Sequence, residues 1–264
     1  EKMEDFIIFR NLEDKFITLP EYVEERKKAE GKEQTKEEDA KDDTSDDTSE
    51  NSEKAEADKE EEPTIVYYVT DMQQQSQYIN MFKEQNIDAI ILKHSIDQPF
   101  ITQLEQGDLK VKFQRIDADL SETMTQEADE ETIKKETETL TEVFKKALGK
   151  EQLEVKVEKL KNENVSSMMT LSEETRRMQD MMKMYSAGGM GGMDMSMFGG
   201  GETLVLNSSN KLVQYILENK DGEYVDMFCK QLYDLAMLAH KPLSAQEMTD
   251  FVARSNEIMM LLAK

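Results

Sequence analysis

The sequence predicts a fold of class α/β plus α+β: a small unit built on a parallel sheet, then an α+β unit ending in a helical hairpin. Three observations predict it. Residues 63–118 alternate short apolar, β-branched runs with helical patterns. Residues 27–62 hold almost nothing apolar. Residues 224–262 carry two wide apolar stripes at helical spacing, parted at Pro242.

The elements follow in order. Phe6, Ile7, Ile8 and Phe9 read as a strand, and Phe16, Ile17 and Leu19 lead into a short helix over Pro20–Arg26, with proline suited to a first turn. Residues 27–62 cannot bury enough surface to offset ordering entropy, so a disordered acidic linker is expected. Those carboxylates lack the Asp/Asn and Gly spacing of a calcium loop.

Ile65–Val69 and Ala89–Leu92 read as buried strands, and Val111, Phe113 and Ile116 as a third. Tyr78, Ile79 and Phe82 mark the first intervening helix; Ile96, Phe100, Ile101 and Leu104 mark the second. That alternation implies crossovers and a parallel sheet. The turn after the first strand, Thr70-Asp71-Met72-Gln73, has no glycine, which argues against a nucleotide site there.

Ile133, Leu140, Val143, Phe144, Ala147 and Leu148 predict a helix closed by Gly149. Leu153, Val155 and Val157 alternate as a strand, Val165–Thr170 is a weaker one, and Thr203–Leu206 is another. Leu212, Val213, Ile216 and Leu217 mark the next helix. Val225, Phe228, Leu232, Leu235, Ala236 and Ala239 then form one stripe. Ser244-Ala245-Gln246-Glu247 is a capping box opening a helix with Met248, Phe251, Val252, Ile258, Met259 and Leu262 on its stripe. The pair fits either an intradomain hairpin or half of a four-helix dimer interface.

The 264 residues suit one to two domains, and the net charge of −24 repels nucleic acid and anionic membrane alike. No apolar run reaches the roughly 20 residues of a membrane span. The start, Glu1-Lys2-Met3, has no signal-peptide pattern, and the chain reads as a fragment of a longer protein. Cys229 stands alone, which excludes an internal disulfide framework and points to a reducing cytoplasm. Neither His94 nor His240 has a nucleophile or metal-spaced cluster beside it in sequence, so no enzyme chemistry is expected.

Ten of the 19 methionines fall between Met168 and Met197. After a cap at Thr170–Glu173, Met178, Met181, Met182, Met184 and Tyr185 recur at helical steps opposite Glu173, Arg176, Gln179, Asp180 and Lys183. Residues 188–201 follow, with seven glycines in fourteen residues. Three readings stand. The segment is a core helix plus linker, an adaptable surface for unfolded or partly folded chains, or a soft-metal loop. The second draws on the pliancy of methionine; the third would hold copper(I) on Met190, Met193, Met195 and Met197.

Several short stretches, in fixed order, resemble one family. Thr18-Leu19-Pro20-Glu21-Tyr22 is similar to Thr-Leu-x-Glu-Tyr, and Ile65–Thr70 to Lys-Ile-Tyr-Tyr-Ile-Thr. Phe82-Lys83, Ile87–Leu92 and Ile96-Asp97 resemble Lys-x-Gly-Ile-Glu-Val-Leu-Leu-Leu and Ile-Asp, with Asn86 where glycine is common. Val111–Gln114, Asn207–Val213 and Leu232–Ala239 resemble Lys-Pro-Phe-Gln-Ser-Val, Asn-Pro-x-His-x-Leu-Val and Leu-Leu-x-Asp-Gln-Ala-Leu-Leu-Ala. The family is the bacterial branch of the heat-shock protein 90 chaperones.

The resemblance implies a small three-layer αβα subdomain at 63–118, preceded by a middle-domain remnant at 1–26. It implies a C-terminal dimerisation domain at 119–264, with dimer helices at 223–240 and 244–262. The client-contacting helix would be 172–187, carrying Met178, Met181, Met182, Met184 and Tyr185. The dimer interface would use Val225, Phe228, Leu232, Leu235, Phe251, Val252, Ile258, Met259 and Leu262. Partners would be a second copy and unfolded client proteins. The parent would use ATP and Mg in a domain upstream of Glu1, and this chain would need neither. A structural dimerisation module with a copper(I) loop is the alternative.

Overall fold

The computed structural model describes residues 6–38, 63–94, 96–118, 124–172, 175, 177–178 and 201–263, with backbone alone at 29–38 and 262. The architecture is mixed α/β, with seven helices and three small sheets among the described residues. These residues divide into two compact units, one from Glu1–Thr70 with Ile87–Gln114, the other from Asp71–Asn86 with Arg115–Lys264.

In the first unit, β1 (Ile8–Arg10) and β2 (Phe16–Thr18) form an antiparallel hairpin. Alternation turns Phe9 and Ile17 into the core and leaves Ile8 and Phe16 exposed. Helix α1 (Leu19–Glu38) starts at a reciprocal cap. The Glu21 amide donates to Thr18 Oγ1 at 3.4 Å, and the Thr18 amide donates to the Glu21 carboxylate at 2.8 Å. Those bonds to Thr18 hold the Glu21 carboxyl below its ordinary range.

The helix runs well past Arg26, where the sequence reading ended it, into the stretch expected to be disordered. Lys, Glu, Gln and Ala dominate residues 27–38, and these are strong helix formers. An ion pair between Lys28 and Glu24, one turn apart, spans 2.8 Å. Lack of apolar side chains deprives a helix of a face to bury but does not prevent the helix. Residues 39–62 lie outside the described residues.

The sheet of this unit has the order β4 (Ile90–Ile91), β3 (Thr64–Val69), β5 (Val111–Arg115), with β3 and β4 parallel as the alternation predicted. Tyr22 ties α1 to the sheet. Its buried hydroxyl donates to the Asp88 carbonyl at 2.7 Å and accepts from the Tyr67 amide at 3.2 Å. Asn86, at the position where the family commonly has glycine, has φ of 55°. Asparagine is one of the few side chains that adopts this left-handed conformation readily. Helix α3 (Asp97–Leu104) buries Ile101 and Leu104, while Ile96 and Phe100 stay exposed.

Helix α2 (Ser76–Glu84) lies between β3 and β4 in the chain but belongs to the second unit. There the Tyr78 hydroxyl donates to the Met169 carbonyl at 2.5 Å. Helix α4 (Glu130–Leu148) is capped by Asp129, which accepts from the Thr132 amide at 2.9 Å. Gly149 closes it at φ 64°, the left-handed position that glycine adopts without strain.

The sheet of the second unit places β8 (Glu202–Asn207) between β6 (Glu154–Glu158), which it meets in parallel, and β7 (Ser167–Leu171), which it meets antiparallel. All five β7 residues are buried. That two-sided burial erases the alternation and explains why this strand reads faintly in sequence. Helices α5 (Lys211–Glu218), α6 (Val225–His240) and α7 (Ala245–Leu262) complete the unit. Leu140, Phe144, Leu204, Ile216, Leu232 and Ala236 are among its core side chains.

Asn207, with no exposure at all, ends the central strand. Its Oδ1 accepts from the amides of Leu160 and Ser209, both at 3.0 Å. Its Nδ2 donates to the carbonyls of Val165 (2.7 Å) and Asn162 (2.9 Å). One side chain thus satisfies the loop between β6 and β7 and the turn into α5. Asn207→Ala is expected to cost about 3 kcal/mol or more, because it orphans several buried backbone groups at once. Urea denaturation of both proteins checks this.

Candidate functional site

The C-terminal helices form a hairpin with an apolar inner face and a polar seam. Helix α6 turns Val225, Cys229, Leu232, Tyr233, Ala236 and Met237 into the core of its own chain. Its next face looks to α7 and carries Gln231 and Asp234. There the Arg254 guanidinium pairs with the Asp234 carboxylate, and both side chains are largely buried. Arg254 Nε donates to Gln231 Oε1 at 2.9 Å, and Gln231 Nε2 donates to Ser255 Oγ at 3.0 Å. Burial pushes the Asp234 carboxyl upward, and the bond from Arg254 opposes that shift. The capping box opens α7 as the sequence predicted: Ser244 Oγ accepts from the Glu247 amide at 3.3 Å, and the Ser244 amide donates to Glu247 at 2.8 Å.

Beyond that seam α7 has no buried residue among those described. Met248 (39% exposed), Val252 (49%) and Met259 (58%) line its outer side, and Leu235 of α6 is 43% exposed. Phe251 and Ile258 are half-buried, as is Phe228, which packs edge-on against Tyr215 at 5.7 Å. Of the residues expected at a dimer interface, Val225 and Leu232 are thus taken up inside the chain. Leu235, Val252 and Met259 are open, and Phe228, Phe251 and Ile258 lie between. The Leu262 side chain lies outside the described residues. Every third or fourth residue of a helix looks alike in a pattern, so periodicity could not tell the inner α6 stripe from the outer one.

The methionine-rich segment leaves the sheet after β7 and returns at β8. At its first foot the Thr175 amide donates to Ser172 Oγ at 3.3 Å, the geometry of a helix start. Met178 is 48% exposed. Met181, Met182, Met184 and Tyr185, and the loop methionines Met190, Met193, Met195 and Met197, lie outside the described residues. At the second foot Gly201 has φ of 120°, and a Cβ there would meet Thr175 Cγ2 at 2.9 Å, so only glycine fits.

A charged cluster surrounds those feet, and sequence reading missed it. Arg115 clamps Asp117 through Nε at 2.5 Å, and the Leu171 amide donates to the Asp117 carbonyl at 3.4 Å. The buried His240 ring, at the end of α6, stands 3.8 Å from Asp117 Oδ2 and 3.7 Å from Glu202 Oε1. Lys241 Nζ reaches Glu202 at 2.5 Å. These residues lie far apart in sequence, so no local motif marks them.

Enzyme chemistry finds no constellation among the described residues. His94 is exposed, its amide bonded to the Asp97 carboxylate at 2.9 Å. Burial pushes the Cys229 thiol up to about 12, so it stays protonated and acts as core. No group of three or more His, Cys, Asp or Glu among them could hold a metal ion. In the turn into α2 the Gln73 and Gln74 amides donate to Asp71 Oδ1, both at 2.9 Å.

The model of the Hsp90 protein family matches residues 63–264 of this chain. The chain belongs to the Hsp90 family. The chaperone protein HtpG of Buchnera aphidicola subsp. Schizaphis graminum is 28% identical over 217 residues, covering 79% of this chain and 33% of the relative. HtpG of Treponema denticola is 27% identical over 201 residues, 74% of this chain and 30% of its own length. HtpG of Bacteroides thetaiotaomicron is 27% identical over 164 residues, 60% and 24% respectively. This Hsp90 chain therefore spans a third or less of those curated relatives. No described helix is long and apolar enough to cross a membrane.

The charged cluster generates a pH prediction. His240 and Lys241 lower the Glu202 carboxyl from 4.5 to about 2. A depressed carboxylate contributes stability above its unfolded value, and that stability is lost as pH falls through the folded one. Glu202→Gln is expected to be less stable than the parent at pH 7. Between pH 4.5 and pH 2, the window of that shift, its stability should fall less steeply than the parent's. Thermal melts across that range check both statements.

Proposed function

We propose that this chain is the dimerising, client-binding end of a chaperone. Its two C-terminal helices pair with those of a second copy, and the methionine-rich segment offers an adaptable apolar surface to unfolded proteins. The observation that carries the first half is α7: an amphipathic helix that fully buries no described apolar side chain and meets its own chain through a polar seam. Such a helix has its main source of tertiary stability still to gain.

A second copy is the occupant that fits. With a net charge of −24, two copies repel unless they meet over neutral ground. Met248, Val252 and Met259 of α7 and Leu235 of α6 supply it, and identical hairpins crossing on a twofold axis present the same patch to each other. Phe251 and Ile258 of α7 are half-buried and add apolar surface to that patch.

The client half rests on residue type and family. Methionine is unbranched and polarizable and moulds itself to irregular apolar surfaces. Met178 is exposed at the start of the stretch. Met181, Met182, Met184 and Tyr185 continue it in the sequence. The HtpG relatives are named chaperone proteins, which supports a role in protein folding. ATP use, with Mg, belongs to the longer parent in this reading, and this chain performs no hydrolysis. The lone buried Cys229 agrees with a reducing cytoplasm.

Sedimentation over a dilution series tests the dimer. The parent is expected to be dimeric. Val252→Asp with Met259→Asp should weaken association by about a hundredfold or more while leaving helical circular dichroism intact, because each charge must be desolvated against its like. A parent chain monomeric at every concentration would sink this reading. For client binding, suppression of light scattering by a denatured substrate is measured. Changing Met181, Met182, Met184 and Tyr185 together to serine should abolish protection. An equally protective quadruple variant would move the client surface elsewhere.

A further inference from the structure

The seam between α6 and α7 is built from the wrong material for adhesion alone. Two amphipathic helices could have joined through leucines. Instead Arg254, Asp234, Gln231 and Ser255 fill the middle of the contact. The guanidinium spends its donors on two α6 side chains one turn apart, Gln231 and Asp234. Gln231 then bridges to Ser255, the neighbour of Arg254. The four groups close a chain of bonds that works only in one register. A slip of α7 by one turn would leave Arg254 and Asp234 both largely buried and unpaired. Removing one partner of a buried pair costs several kcal/mol as a rule, whereas well-packed apolar residues would serve adhesion as well or better. The best-attested use of such a pair is to specify register and partner.

We propose that this clasp is a specificity determinant of the dimer: it locks α7 to α6 of the same chain in one register. In that register Leu235, Val252 and Met259 stand as a single preformed patch for a second copy. Two alternatives are thereby excluded. One is an exchanged dimer, in which α7 of each chain leaves its own α6 for that of its partner. The other is a slipped hairpin with the patch broken into two. The proposal rests on the dimer reading above and adds where the clasp is made.

Charge reversal on the full chain tests it, with association followed by sedimentation and folding by circular dichroism. Asp234→Arg and Arg254→Asp alone are each expected to weaken the dimer by about tenfold or more, since each buries two like charges. The double variant Asp234→Arg/Arg254→Asp restores the pair and is expected to recover to within about threefold of the parent, the scale of a rebuilt charged contact. The decisive arm is an equimolar mixture of the two single variants after unfolding and refolding together. If the clasp is made within each chain, mixing rescues nothing. If mixing restores the dimer, α7 is exchanged between chains and the proposal is overturned. A parent dimer whose affinity neither reversal moves would overturn it too. Should the reversals fail to fold, Asp234→Asn and Arg254→Gln remove charge and keep shape. A combined neutral variant as dimeric as the parent, with one mass in solution, would likewise sink the proposal. A monomeric parent would instead sink the dimer reading beneath it.

Discussion

Much of the second unit hangs on one buried amide. Asn207 must sit where β8 ends, because only there can both ends of its side chain find partners at once. A buried polar group without partners costs more than its bonds contribute when made, so the loop from Leu160 to Val165 and the turn into α5 have one low-energy arrangement around it. That arrangement sets β6 and β7 on either side of β8. It thereby fixes where α6 lies, for Ser167 of β7 donates to the Leu232 carbonyl at 2.8 Å. The hairpin that carries the proposed interface inherits its place from the strand that ends at Asn207.

Polar and apolar surfaces divide the labour along that hairpin. The inner stripe of α6 is apolar and non-directional, and it contributes adhesion. The seam to α7 is polar and directional, and it contributes register. What remains on the outside is neutral in a molecule of strong negative charge. An acidic chain that must meet its own copy needs such a neutral window, since like charges brought together over a dry contact cost several kcal/mol.

Sequence pattern carried most of the secondary structure, and its failures have physical causes. The caps at Gly149 and Ser244 are local chemistry, readable from a few neighbours, and both stand where expected. The length of α1 was missed because hydrophobic periodicity signals a face to bury, and residues 27–38 carry almost no apolar side chain to show one. The membership of α2 in the second unit depends on where the Tyr78 hydroxyl finds Met169, ninety-one positions away. The charged groups around His240 come from just after β5, from the start of β8 and from just after α6, and no spacing rule connects them.

By itself the sequence determined the local terms: most of the helices and strands, the caps at Gly149 and Ser244, the strong acidity of the chain, and the gathering of methionine at one place. It also carried enough ordered short matches to point to the Hsp90 family. These are properties of near neighbours and of composition, and they need no fold to be true. Only the tertiary structure decided which residues of the one α6 stripe face inward, that Arg254 finds Asp234 and Gln231, and that Asn207 and the charged cluster gather distant segments. Those outcomes follow from the burial of apolar area and from the cost of leaving buried polar groups without partners. Both couple residues across the whole chain and leave no trace in any window of it.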